Sequence, residues 1–212
     1  MIIAKKLKEE NIAEYLLYMW QVEDLLRGVA LDVDRLEESY LSRFQCEEDQ
    51  RGELRQWYED LAEMMRSEGV TEQGHLQVNK NVIIWLEDLH RQLLQSPKFP
   101  YYSAAYYKAL PFIVELRSKN KVKDLKDEKD NLEKLDENKN PSKSFRSLKE
   151  KSLMKDKSEI ENCFDALYGL MLLRLQGKPV SEETKRAMEC ISTFIGMLAD
   201  YYKKDKTEGL EL

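Results

Sequence analysis

Apolar residues recur at intervals of three and four along most of this 212-residue chain, and no stretch alternates with period two. That spacing predicts helices and no strands. Asn11 to Arg27 forms the first strong helix, with Asn11 and Glu14 in capping-box spacing and Gly28 as its stop. Asp32 caps a second helix through Val33, Leu36, Tyr40 and Phe44. A third carries Leu54, Trp57, Tyr58, Leu61 and Met65 and stops at Gly69, with Val70 as the apolar partner of a glycine cap. Thr71 to Gln95 reads as one long fourth helix, closed by Ser96-Pro97. Pro100 suits the first turn of a fifth helix over Tyr101 to Ser118, kinked at Pro111. Ser158 and Glu161 box the start of a sixth helix that ends at Gly177. Ser181 caps the last, whose apolar positions run from Ala187 to Tyr202.

Residues 118–157 break this pattern. Val122, Leu125, Leu132 and Leu135 make a stripe too thin for a core, and Asn138 to Ser144 reads as a turn or linker. A helical hairpin, a single helix and disorder all remain open there, with helix favoured over 120–137. The expected fold is therefore all-α: one bundle-like domain of six or seven helices, with a charged insertion before the last two. Residues 1–117 and 158–206 form that domain, and the tail, 207–212, frays after Lys203. The first and sixth helices are expected at its centre, because both are apolar nearly all round.

Composition narrows the function classes. Hydrophobic residues make up 42% of the chain and charged ones 35%, with a net charge of −6. An acidic balance disfavours nucleic acid and anionic membrane, which need a basic face. Residues 118–157 hold 13 Lys and Arg against 9 Asp and Glu, an interspersed, solvated mixture rather than a binding stripe. Cys46, Cys163 and Cys190 are odd in number and far apart, as expected of reduced thiols in a cytoplasmic protein. The opening MIIAKKLKEEN has too short an apolar run for a signal peptide, and no run reaches the ~20 apolar residues that span a bilayer.

Two charges sit where the helical periodicity leaves no polar room. At about 100° per residue from Glu14, Glu23 falls at about 180°, between Ile12, Leu16 and Met19. On the sixth helix Arg174 falls among Cys163, Leu167 and Leu170. A buried charge needs a partner and hydrogen bonds. The economical expectation is that Glu23 meets Arg174, directly or across a polar cavity, with Arg27 one turn from the acid as a local partner. A structural ion pair is the plain reading, an exposed groove in which one or both charges reach water the second, and a ligand or catalytic site the sharpest.

The remaining patterns carry less. Glu72 and His75, and Glu87 and His90, each show the ExxH spacing of di-iron bundles, but on one helix they lie roughly 22 Å apart and cannot share a metal pair. The chain calls for no metal and no cofactor. His90 falls at the edge of an apolar face and reads as a satisfied histidine. Tyr101, Tyr102, Tyr106 and Tyr107 surround Ser103, Ala104 and Ala105, a composition suited to a core, a subunit contact or a pocket wall. No phosphate-binding glycine loop or dinucleotide fingerprint occurs.

At NIAEYLLYMWQVEDLLR and EIENCFDALYGLMLLRLQ the chain resembles a family of uncharacterised, all-helical bacterial proteins classed as a domain of unknown function. The opening IIAKKLKEEN and the closing STFIGMLADYYKKDKTEGLEL share that resemblance, whereas 118–157 departs from it as extra sequence. The resemblance implies a helical fold and a bacterial cytoplasmic setting, with no activity or catalytic residue to carry over.

The expected function is that of a non-enzymatic helical protein acting through protein contacts, as a homo-oligomer or with another protein, using Tyr-rich and Met-rich surfaces. The alternative is a small-molecule binder or enzyme with its site at Glu23, Arg27, Arg174, His90 and Tyr106. No residue is assigned a catalytic role.

Overall fold

A computed structural model describes residues 2–43, 48–135 and 157–211. Among them are eight α-helices and no strand, so the fold is all-helical. The helices are α1 (Ile2–Glu10), α2 (Ile12–Gly28), α3 (Val33–Ser39), α4 (Glu48–Ser67), α5 (Gln77–Gln95), α6 (Pro100–Leu135), α7 (Glu159–Leu175) and α8 (Glu182–Glu208). A 3-10 turn over Leu41–Arg43 follows α3. The expected turn at 138–144 and most of the charged segment, 136–156, lie outside the described residues, as do Phe44, Cys46 and Leu212.

The described chain divides into two compact units, 1–96 with 196–212, and 97–195. In the first, α2 packs on α1 and on α5, while α3 packs on α4. Leu16, Leu26, Leu36, Met65, Leu76, Leu86 and Leu93 are fully buried in its core. In the second, α6 packs on α7. Tyr102, Ile113, Phe164 and Phe194 are fully buried there, and the Tyr102 and Tyr106 rings lie 5.6 and 5.5 Å from the Phe194 ring.

The caps were legible. Asn11 accepts from the amides of Ala13 and Glu14, Asp32 from Asp34 and Arg35, and Ser158 from Glu161. Five boundaries differ from the periodic reading, the first being that of α3, which ends at Ser39 rather than running on through Tyr40. A short helix, α1, precedes Asn11, whose own amide donates to the Leu7 carbonyl while its side chain starts α2. Helix α5 starts at Gln77 rather than Thr71, because Gly74 takes φ +88° and the backbone of 70–76 is bound elsewhere. Helix α6 continues to Leu135 instead of stopping at Ser118, and Pro111 lies within it. Helix α8 continues past Lys203 to Glu208, and Gly209 then turns left-handed.

The end of α2 departs furthest from expectation. Gly28 is its last residue, but the left-handed positions fall on Ala30 and Leu31, at φ 56° and 60°. Left-handed backbone costs non-glycine residues about 1 kcal/mol each. Here it is held by the Ala30 amide on the Arg27 carbonyl, the Leu31 amide on the Leu26 carbonyl, the Arg66 guanidinium on the Leu31 carbonyl, and burial of the Leu31 side chain.

Candidate functional site

Glu23 is 1% exposed, on the buried arc where helical geometry places it. Its partner is not Arg174. One carboxylate oxygen, Oε1, accepts from the Leu76 amide at 2.9 Å and from Asn79 Nδ2 at 2.7 Å. The other, Oε2, lies 2.6 Å from His75 Nδ1. All three partners come from the start of α5 and the two residues before it. Leu76 has no side-chain cap of its own to offer α5. Glu23, reaching across from α2, does that work, and Glu68 at the end of the α4 segment accepts from the Gln77 amide at 2.6 Å. Two carboxylates thus meet the positive end of the α5 dipole, where anions are favoured.

The loop between α4 and α5 is held from α2 a second time. The Arg27 Nη2 donates to the Val70 carbonyl at 3.1 Å and to the Gly74 carbonyl, while its Nη1 bridges to Asp24 at 2.8 Å. Arg27 was expected beside Glu23 and instead pairs with Asp24 and the loop backbone. The His75 ring stacks on Trp20 with centroids 4.1 Å apart and planes 11° from parallel. Trp20 and Glu23 stand three residues apart on α2, so one helix face presents a flat apolar surface and an anion to the same imidazole. The His75 side chain is 25% exposed. Among the described residues no hydroxyl or thiol bonds to it, so the acid and imidazole stand without the nucleophile a hydrolytic dyad needs. Asn79 Oδ1 and Arg27 Nε are buried without a hydrogen-bond partner among the described residues.

The other expected site residues lie elsewhere. Arg174 is exposed in the last turn of α7, so the expectation that its apolar arc draws it inside is corrected. The same turn leaves Leu173 36% and Leu175 74% exposed, and α7 is buried only over its first half and Leu170, rather than all round. Arginine at a helix C-terminus also suits the dipole, which removes any need for a buried acid. His90 is half-buried on α5, roughly 16 Å along the axis from Asn79. Tyr106 belongs to the second unit, where its hydroxyl donates to Glu159 at 2.8 Å and Arg117 meets the same carboxylate at 3.3 Å. Burial, with Glu159 beside it, holds the Tyr106 hydroxyl well above its ordinary value, and burial does the same for the Cys163 thiol.

Sequence reasoning therefore found Glu23 but missed Asn79 and gave His75 the wrong setting. The available signal was Gly69 and Gly74, five residues apart, which argue for a loop rather than a helix between them. With His75 in that loop, the one-helix premise of the ExxH comparison fails. Among the described residues no group of three or more His, Cys, Asp or Glu is placed to hold a metal ion, and no helix is long and apolar enough to cross a membrane.

A cleft of about 470 Å³ opens beside the left-handed turn, lined in part by Leu31, Asp32, Arg55, Glu59 and Arg66. Most of its charges are spoken for: Arg55 binds Asp34, Glu37 and Glu59, the first two raising its already high basicity further, and Arg66 holds the Leu31 carbonyl.

A family model described as "Domain of unknown function (DUF4924)" matches residues 1–136 and 139–209. The match runs through the charged segment, which is thus part of the family's own length and not sequence added to it. Neither the curated proteins nor the solved structures gave a match.

Proposed function

The chain belongs to that family, and from there we propose that it acts through protein–protein contacts rather than through chemistry of its own. One observation carries this reading: large apolar and aromatic side chains left in solvent. Tyr107 is 63% and Val114 52% exposed on one face of α6, Tyr101 is 81% exposed elsewhere on that helix, and Ile84 and Trp85 are about half exposed on α5. Single exposed apolar residues are ordinary, but exposed apolar residues that share a helix face, as Tyr107 and Val114 do, mark contact surfaces. Tyrosine and tryptophan supply large, stiff contact area with a polar tip. The buried polar cluster supports the same ranking. Every Glu23 oxygen is taken by groups that build the α4–α5 loop, so the cluster reads as a structural clamp rather than as a pocket for a small molecule. The proposed setting is the bacterial cytoplasm, supported by three widely spaced cysteines and the family resemblance.

Size exclusion with light scattering on the full chain tests the reading, alongside a Tyr107→Glu/Val114→Glu variant checked for helicity. Wild-type self-association, or retention of a defined protein partner that the variant loses, is the expected result. A wild-type monomer that binds nothing the variant does not bind equally well overturns it.

A further inference from the structure

The exposed face of α6 has a pattern that selects its occupant. Ala104, Tyr107, Pro111, Val114 and Ser118 follow one another at three, four, three and four residues, and all five are exposed. At 100° per residue they fit within an arc of about 80°. This is the seam spacing of paired helices, in which positions spaced three and four apart meet a partner helix. Tyr107 is held in place for such a contact by its own neighbour, the Tyr106 ring 5.2 Å away.

Charge decides between partners. Two exposed charges, Lys108 and Glu115, border the seam on the same flank, about 20° apart around the axis and seven residues apart along it. Among the described residues Lys108 has no ion-pair partner, and Glu115 bonds only forward, to Lys119 at 2.6 Å. A plus and a minus placed symmetrically about the seam's midpoint, next to Pro111, are self-complementary under a two-fold axis. If two copies of α6 run antiparallel about that axis, Lys108 of each lies level with Glu115 of the other. Tyr107 then falls between the second copy's Val114 and Ser118, and the two Pro111 residues lie beside each other next to the axis.

We propose that this face of α6 binds a second copy of the chain, as an antiparallel, two-fold helix pair centred between Pro111 and Phe112 with reciprocal Lys108–Glu115 contacts. Isologous pairing of this kind is the commonest route to a homodimer. The proposal rests on the reading that the protein acts through protein contacts, and adds to it the partner and the register.

Charge reversal tests the register without touching the seam. Lys108→Glu and Glu115→Lys each place like charges together twice per dimer, and each is expected to weaken self-association at least about tenfold in sedimentation equilibrium. The double variant Lys108→Glu/Glu115→Lys is expected to recover it. Mixing the two single variants is the sharpest arm, because an all-acidic and an all-basic flank must then pair with each other better than with themselves. If wild type self-associates and loses this in Tyr107→Glu/Val114→Glu, yet the charge variants behave as wild type, the register is overturned while the contact reading stands. If wild type is monomeric, and a photo-crosslinker at position 114 reaches residues 136–156 of the same chain or another protein, the second copy is overturned as occupant. A monomer with no crosslink at all overturns both.

Discussion

Helices α2 and α7 are each 17 residues long, and each carries one charge inside an arc of apolar side chains. Glu23 of α2 is 1% exposed, whereas Arg174 of α7 is open to solvent. The difference lies in what each arc meets. Helix α2 has neighbours on two sides, α1 and α5, and its acid faces the unfilled amides at the start of α5. A carboxylate there accepts hydrogen bonds that the helix start must otherwise find elsewhere. Helix α7 is covered over its first half, and its last turn, Leu173–Leu175, is not, so Arg174 extends into water from beside exposed leucines. An apolar arc marks where burial is available. Whether a charge within it is buried depends on donors and acceptors supplied by another part of the chain.

The largest break in this comparison should come from Glu23→Leu. The change leaves the Leu76 amide, Asn79 Nδ2 and His75 without their acceptor, and a loss of about 3 kcal/mol is expected in urea unfolding. Next comes Gly74→Val, which puts a β-branched side chain at φ +88° with its Cβ 3.6 Å from Val70 Cγ1. About 2 kcal/mol should be lost, with faster amide exchange at 70–76 that leaves the α7 amides unchanged. Raising pH loads both regions more gently. Burial, partly offset by the Tyr58 hydroxyl donating to it, pushes Tyr18 on α2 up to about 12 from its ordinary 10, and Tyr58 and Tyr106 are raised as well. The folded state then holds protons that the unfolded state releases, so stability is full below pH 10 and falls as pH rises from 10 towards 12. Thermal melts at stepped alkaline pH, with tyrosinate absorbance followed alongside, check the direction; ionisation at the ordinary pH without loss of stability contradicts it. The smallest effect belongs to Arg174→Ala, within about 0.5 kcal/mol of wild type in the same urea series. A loss comparable to that of Glu23→Leu would erase the contrast between the two helices.

Much of the helical framework could be read locally. Asn11, Asp32 and Ser158 cap their helices through their own side chains, and a cap of that kind depends only on residues two or three positions away. Helix α5 could not be read this way, because its cap comes from residues 9 and 53 positions upstream, Glu68 and Glu23. The apolar face from Val82 to Leu93 was correct, and only the starting point was displaced. The left-handed turn misleads for a related reason. Gly28 looks like the residue that should turn, but the strain falls on Ala30 and Leu31, where Arg66 and a buried side chain can hold it.

The all-helical class, the capped helix starts and the inward direction of Glu23 follow from neighbours within a turn or two, and so were readable from the residues alone. That Glu23 answers to His75, Leu76 and Asn79, that Arg27 grips the loop carbonyls, and that Arg174 stays in water came from contacts made on folding. Periodicity fixes the direction in which a side chain leaves its helix. It carries no information about which backbone amide, from 53 residues further along, will be waiting there with an unmet hydrogen bond.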